Sequence, residues 1–403
     1  MAEQRIIRIR LATKDRRYAL AESAPILVPS SFRRLALSSL VNGLLGHDAP
    51  VPFDFIIRGS YLRSSLEDLL SAHGISSETI VDAEYTPAQK PPQYVCSFEH
   101  DDWVSAVDTL ASSTARHGQP RQPRQPRILS ASYDGRIRVW NSSSQVLAIS
   151  PAHDDGGHWS FVKDARFVSS GQIVSAGFDR VVRVWKYEEA ADGLSADITP
   201  ELELHGHSAC IDAVDVDPGS HKILTASADH SVGLAGGKRR KLNAAGSVAQ
   251  RGPLSLLQHH TQQVSGAIFD RKDATVAYST SWDQTMRTWD LVTARVVDTR
   301  VTNQALLAVE QVPELQLVAT GTAGREIKLI DPRASASAVT AMTLKGHRNA
   351  VVSLALDPGS SHRLASASHD GSCRVYGVCW DGELGILSCG QDKCIQLNSS
   401  EPA

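Results

Sequence analysis

Histidine–aspartate pairs at a repeated spacing are the residues of this chain best suited to chemistry. His207 precedes Asp229 by 22 residues, while His260 precedes Asp283 and His347 precedes Asp370 by 23 each. A carboxylate that orients an imidazole is the heart of a general acid–base pair, so one such pair would suggest hydrolysis or proton abstraction. Several at one spacing suggest a constellation that the architecture repeats for its own support. His100 stands 34 residues ahead of Asp134, the excess being an insertion, and either His153 or His158 could serve Asp179.

The aspartates mark a second, tighter rhythm. In Ser130–Trp140, SASYDGRIRVW, a small-residue strand enters an Asp-Gly turn and leaves as an alternating strand ending on tryptophan. Asp134 precedes Trp140 by six residues, as Asp179 precedes Trp185 and Asp283 precedes Trp289. Asp370 is followed by Tyr376 in that place, Asp229 by Ala235, Gly324 by Ile330 and Asp392 by Asn398. These seven turn positions lie 45, 50, 54, 41, 46 and 22 residues apart. Five intervals suit a four-stranded propeller blade, whose repeat is about 40–45 residues, with insertions. His207, His347, Asp134, Asp179, Asp229, Asp283, Asp370, Trp140, Trp185 and Trp289 therefore read as a buried, mutually satisfied network. Their role is structural, not catalytic.

The sixth interval is half a repeat. Blade six supplies VVSLALD, HRLASASHD and SCRVYGV, and VCWDGELGILSCGQDKCIQLN then begins blade seven at once. Strands alternate in direction within a blade, so the third strand of one and the first of the next run the same way. Joining them takes a return path of about a strand length, roughly 17–20 Å, or at least about five extended residues. No such path is available between Tyr376 and Trp380, so one of the two strands must be lost or distorted.

Residues 1–88 follow another pattern. IIRIRLAT (Ile6–Thr13) alternates as a strand, with ALAESAPILVP as its hairpin partner. In SFRRLALSSLVNGLLG, Ser31 can cap a helix whose stripe is Leu37, Leu40, Val41, Leu44 and Leu45, and Gly46 stops it. FDFIIRG is a strand, Ser65 and Asp68 have capping-box spacing for a short helix at Leu66–Ala72, and IVDAEYTP is the last strand. That order is similar to a ubiquitin-like β-grasp, here without a Gly-Gly tail. The fold class is mostly β: an α+β head at 1–88, then a seven-bladed propeller at 89–398 with blades six and seven incomplete. QYVCSFE, after the linker, suits an outermost blade strand.

Composition narrows the function. With 403 residues, 21% charged and 42% hydrophobic, the chain is an ordinary globular one, and its net charge of −3 excludes a whole-molecule nucleic-acid binder. MAEQRIIRIR lacks the apolar core of a secretory signal, and no stretch approaches a membrane span of about 18 apolar residues. No membrane role is expected. Cys373, Cys379, Cys389 and Cys394 lack the paired spacing of zinc knuckles. Two insertions, 112–127 and 236–253, read as exposed loops. The first is rich in Pro and Arg; the second carries Lys238, Arg239, Arg240 and Lys241, a solvated patch, a nuclear-import signal or a contact to RNA phosphate. GLAGGKRR is not a phosphate loop, because Arg239 stands where Ser or Thr would hold the metal.

The segments VNGLLGHDAPVPFDFIIRG, LRSSLEDLLSAHGISSET, DWVSAV, SWDQTMRTWDLVTAR and CGQDKCIQLN together resemble one family. It is the WD-repeat subunit of the pescadillo complex, a Ytm-type large-ribosomal-subunit assembly factor with an N-terminal ubiquitin-like (NLE) domain. The resemblance implies a non-enzymatic scaffold of the nucleolus and nucleoplasm, acting in pre-rRNA maturation on the pre-ribosomal particle. It implies that the propeller docks on that of the block-of-proliferation scaffold protein, which holds pescadillo. It also implies that the midasin ATPase grips the head through a metal site in which Glu78 of ISSET takes part. No intrinsic cofactor is expected, only a partner-held magnesium shared through Glu78. A notchless-type factor, with a longer propeller, and a ubiquitin-pathway adaptor are the competing readings.

Overall fold

Alternation in β1 (Ile6–Ala12) puts Ile7, Ile9 and Leu11 on one buried face and exposes the residues between them. The computed structural model describes residues 6–399 apart from 14–15, 21–23, 47–49, 59, 73, 75–78, 89–91, 111–124, 191–192, 218, 237–247, 253–254, 335–339, 360–362 and 372. It forms two compact units, meeting in sequence at Pro91 and Pro92.

In the first unit, β1 is followed by β2 (Ile26–Pro29), α1 (Arg34–Leu45), β3 (Phe53–Ile57), β4 (Ser60–Tyr61), α2 (Leu66–Ala72) and β5 (Val81–Pro87). The sheet order is β2-β1-β5-β3-β4, with β1 and β5 parallel through Ile9 opposite Val81. Leu37 and Val41 of α1 and Leu66, Leu69 and Leu70 of α2 close the core against Phe53, Phe55 and Tyr85. Ser31 does not cap α1. The chain turns at Pro29–Phe32, which places Arg33 at the cap position without a side-chain bond. Leu44 also leaves the expected stripe and is exposed. Two polar residues anchor the helix instead: Asn42 bonds both backbone groups of Val51, and the Ser38 hydroxyl accepts the Phe53 N–H. The capping box of α2 forms, with Ser65 Oγ donating to Asp68 Oδ2 at 2.6 Å and accepting the Asp68 N–H at 3.2 Å.

The described residues of the second unit form a ring of seven sheets whose first strands pack in cyclic order. Blades one to five each have four strands of their own, beginning at Val104, Val162, Ile211, Val264 and Leu306. Blade seven is not incomplete as expected: it has four strands and is closed by Gln93–Glu99, which pairs with Cys394–Ser399 and so joins the two ends of the propeller. Part of the second insertion is not a loop: Ala249–Arg251 adds a fifth strand to blade two, parallel to Leu202–Leu204.

Among the described residues, blade six has two strands, Val351–Leu356 and Leu364–Ser368. The residues SCRVYGV and VCWD do not form separate strands. They merge into Val375–Asp381, which pairs with Gly385–Gly390 as the first strand of blade seven. The short interval thus removes the third and fourth strands of blade six, and Tyr376 is not a blade-core aromatic there.

Candidate functional site

Each turn aspartate folds its own corner. Except after Asp370, the residue that follows takes a left-handed conformation: Gly135 at φ 81°, Arg180 at 66°, His230 at 67°, Gln284 at 67° and Lys393 at 63°. The carboxylate offsets that strain by accepting the N–H two residues on, as Asp134 does from Arg136 at 3.0 Å and Asp283 from Thr285 at 2.9 Å. Asp is suited to the place because it tolerates the turn and completes it.

The second carboxylate oxygen takes up the histidine. In blade two, His158 Nδ1 lies 2.7 Å from Asp179, its Nε2 lies 2.7 Å from Ser175 Oγ, and the Trp185 indole donates to the same Oγ at 2.7 Å. His153 lies in an exposed turn outside this network. Blade four repeats the arrangement with His260, Asp283, Ser279 and Trp289 at 2.8, 2.7 and 2.7 Å. Blade three has His207, Asp229 and Thr225 at 2.9 and 2.7 Å, with Ala235 in place of the indole. Blade six has His347, Asp370 and Ser366 at 2.7 Å each. Blade one differs. His100 and Trp140 meet at Ser130, each at 2.9 Å, but Asp134 pairs with Arg138 at 2.6 Å and not with His100.

Blades two, four and six hold serine–histidine–aspartate triads in distance, and in blades two and four the surroundings forbid triad chemistry. The His158 and Asp179 side chains are buried, as is Ser175, whose oxygen is already engaged by an indole N–H. Burial holds the His100 imidazole down to about 4 and pushes those of His158 and His260 below their ordinary value. Burial alone would raise Asp283, but bonds from Thr285, His260 and the Thr261 N–H outweigh it and hold the carboxyl at about 2. A neutral imidazole with Nδ1–H on the carboxylate and Nε2 toward the hydroxyl satisfies every partner. The serine and threonine members escape a reading by histidine spacing, although Ser130, Ser175, Thr225, Ser279 and Ser366 each stand four residues before the turn aspartate.

Carboxylates also line the axis. Asp108 accepts the Phe167 N–H at 2.8 Å, Asp164 that of Val214 at 2.9 Å and Asp215 that of Phe269 at 2.8 Å, so each clips its strand to the next blade. Arg166 and Arg271 stand between them, Arg271 3.7 Å from Asp215 and 3.6 Å from Glu310. Burial raises Asp108, Asp164 and Glu310 above the usual carboxyl range. Among the cysteines, burial pushes the Cys379 thiol up to about 12, which leaves it protonated and unreactive at neutral pH.

The turn end of the propeller carries the surface best suited to a partner. First strands begin and second strands end there: Val104 lies opposite Ser132, and the Tyr133 N–H bonds to Trp103 O at 2.9 Å. Residues just before the turn aspartates therefore share this end, and they include Tyr133, Phe178, Trp282 and His369. Phe178 packs on Phe161 at 4.8 Å between ring centroids, and Phe161 stacks on Tyr133 at 4.9 Å. Tyr133 meets Trp103 at 5.5 Å and Tyr376 at 6.0 Å, while His369 meets Tyr376 edge-on at 5.6 Å. Trp159, Phe178 and Trp282 are 53%, 46% and 46% exposed, a large aromatic area for one end of a domain. Aromatic spacing did not reveal it; the place before each turn aspartate does. Glu78, Lys238, Arg239, Arg240 and Lys241 lie outside the described residues.

The NLE (NUC135) domain matches residues 7–70, and the WD domain, G-beta repeat matches 92–141, 149–186, 198–234, 251–290 and 339–377. The chain is 49% identical to the ribosome biogenesis protein YTM1 of Ajellomyces capsulatus (strain NAm1 / WU24), over 99% of this chain and 94% of that protein. The chain belongs to the YTM1 family. YTM1 proteins of Emericella nidulans and Aspergillus clavatus are each 48% identical to it, over 99% of this chain and 96% of theirs. It is a ribosome biogenesis factor with an NLE head and WD sheets, in a family of generally non-catalytic WD-repeat proteins. The Ajellomyces match runs over 461 positions against a chain of 403 residues, so at least 58 of them (461 less 403) have no counterpart here. Blade five is not matched as a repeat, in keeping with its turn Gly324 and with Ile330 at the tryptophan place.

Proposed function

We propose that this YTM1-family chain is a scaffold of large-ribosomal-subunit assembly and pre-rRNA maturation, working in the nucleolus and nucleoplasm through two separate surfaces. The turn end of the propeller, with Trp159, Phe178 and Trp282 exposed, docks the propeller of the block-of-proliferation scaffold protein, and pescadillo joins through that scaffold. Aromatic side chains give large contact area at low entropic cost, the composition of interface hot spots. The ubiquitin-like head is the handle for the midasin ATPase, with Glu78 offering a hard oxygen ligand to a magnesium that the partner holds. Lys238, Arg239, Arg240 and Lys241 serve nuclear import or RNA contact on the pre-ribosomal particle.

The observation that carries the reading is the coupling, in one chain, of an NLE head to a WD propeller across nearly the full length of YTM1 relatives. Glu78→Ala tests it. Midasin binding and release of the factor from the particle should fail, while the complex with the scaffold and pescadillo assembles normally. Normal midasin binding by the variant would refute the assignment to Glu78.

A further inference from the structure

Among the described residues, Leu364–Ser368 of blade six pairs only with Val351–Leu356, whereas the matching strand of each other blade is sandwiched between two neighbours. The Asp357 N–H bonds to Arg363 O at 3.0 Å, and alternation along an antiparallel pair then fixes the rest. Arg363, Ala365 and Ala367 turn their backbone groups toward the first strand, and Leu364 and Ser366 turn theirs to the open side. The edge sequence Leu-Ala-Ser-Ala-Ser has no charge and no proline, the usual guards of an exposed edge.

Blade four shows what the open side is built to receive. There Ser279, in the place of Ser366, lies opposite Arg287 of a third strand, and Trp289 of that strand donates to its Oγ at 2.7 Å. In blade six the Ser366 hydroxyl is 2.7 Å from His347 and has no indole donor. The His347 and Asp370 side chains are 25% and 28% exposed, against 0% and 5% for His260 and Asp283. The polar network is complete up to the point where the missing strand would cover it.

We propose that this edge binds an extended segment of a partner polypeptide as an antiparallel third strand. The segment it fits has branched aliphatic residues alternating with polar ones and ending on tryptophan, as in the chain's own Ile137–Trp140 and Val182–Trp185. The pairing of Ala277 with Trp289 in blade four places the incoming tryptophan opposite Leu364, with its indole on Ser366. A second copy of this chain is not that partner. Its Trp140, Trp185 and Trp289 are 4%, 0% and 0% exposed and already bonded to their own serines.

The test is titration of the full chain with a labelled peptide copying residues 135–141, followed by anisotropy and by amide exchange at residues 364–368. Saturable one-to-one binding with slowed exchange there is expected, weakened about tenfold when the peptide tryptophan becomes alanine. Ser366→Ala, which leaves the backbone edge intact, should weaken the tryptophan peptide to the level of the alanine peptide and leave the latter unchanged. A peptide N-methylated at alternate residues should not bind. Absence of binding, equal binding of the N-methylated peptide, or concentration-dependent dimers without peptide that this edge mediates would each overturn the proposal.

Discussion

Tyr376 lies against Tyr133, ring centroids 6.0 Å apart at 29°, although six residues after Asp370 it stands where Trp185 and Trp289 stand in their blades. Burial decides which strand this stretch becomes. As the first strand of blade seven it buries Gly377, Trp380 and Asp381 and completes the ring. As a third strand of blade six it would leave the ring open between Val351–Leu356 and Val104–Leu110. Outer positions return little: the outer strand Thr340–Lys345 of blade five is exposed along its whole length. At about 25 cal/mol per Å² of apolar surface, the inner placement wins.

Trp289 and Tyr376 should therefore respond differently to truncation. Trp289 is fully buried and donates to Ser279, so Trp289→Ala should lower propeller stability by about 3–5 kcal/mol. Tyr376→Ala removes a half-buried ring from a surface cluster and should cost about 1–2 kcal/mol. Urea unfolding followed by tryptophan fluorescence would compare them. Equal losses would show Tyr376 to be a blade-core residue after all.

Asp283 and Asp134 share a sequence position but not a role. Asp283 bonds His260, Thr285 and the Thr261 N–H, so Asp283→Ala should cost about 2–4 kcal/mol by leaving the buried His260 and Thr285 groups without their acceptor. Asp134→Ala should cost about 1 kcal/mol, since Arg138 keeps Asp101 at 2.8 Å and His100 never depended on it. Denaturant midpoints of the two variants should differ accordingly, and the reverse order would refute the assignment.

The rhythm of the blades was legible because a turn demands Asp and a buried network demands His, and each recurs at fixed offsets. Ser65 and Asp68 announced their capping box for the same reason: the partners are three residues apart. What stayed hidden depends on non-local meeting. Asp164 looks like any strand carboxylate until folding brings it to Val214, and Ala249–Arg251 looks like loop until it finds Leu202. Ser31 does not cap because capping needs a helix start that the Pro29–Phe32 turn delays. The strand conflict at Val378 was visible in the residue count alone, while its outcome rested on relative burial, a property of the whole ring.

Acid should act on stability through His100. Burial lowers its folded pKa to about 4 from 6.5. The unfolded chain takes up a proton as pH falls through 6.5 and the folded chain does not until about 4, so stability present above 6.5 is lost between these values. Raised carboxyls at Asp108, Asp164 and Glu310 act in the opposite sense and are relieved on acidification. The difference between wild type and His100→Asn isolates the imidazole. The variant's stability should fall less from pH 6.5 to 4, by on the order of 1–2 kcal/mol. Parallel curves would mean that His100 is charged in the folded chain.

Phe178 and Tyr133 separate docking from folding on the aromatic surface. Phe178 is 46% exposed at the end of the cluster, so Phe178→Glu should weaken scaffold binding at least about tenfold and leave the thermal midpoint nearly unchanged. Tyr133 is stacked between Phe161 and Tyr376, so Tyr133→Ala should lower both affinity and midpoint. Val301→Glu, at an exposed position on the outer strand of blade four, should alter neither. Calorimetric titration with the scaffold's propeller and a melting curve for each variant give the comparison. Full affinity in Phe178→Glu would move the docking site away from the turn end, because a glutamate placed in a desolvated aromatic contact has no partner to offset its burial.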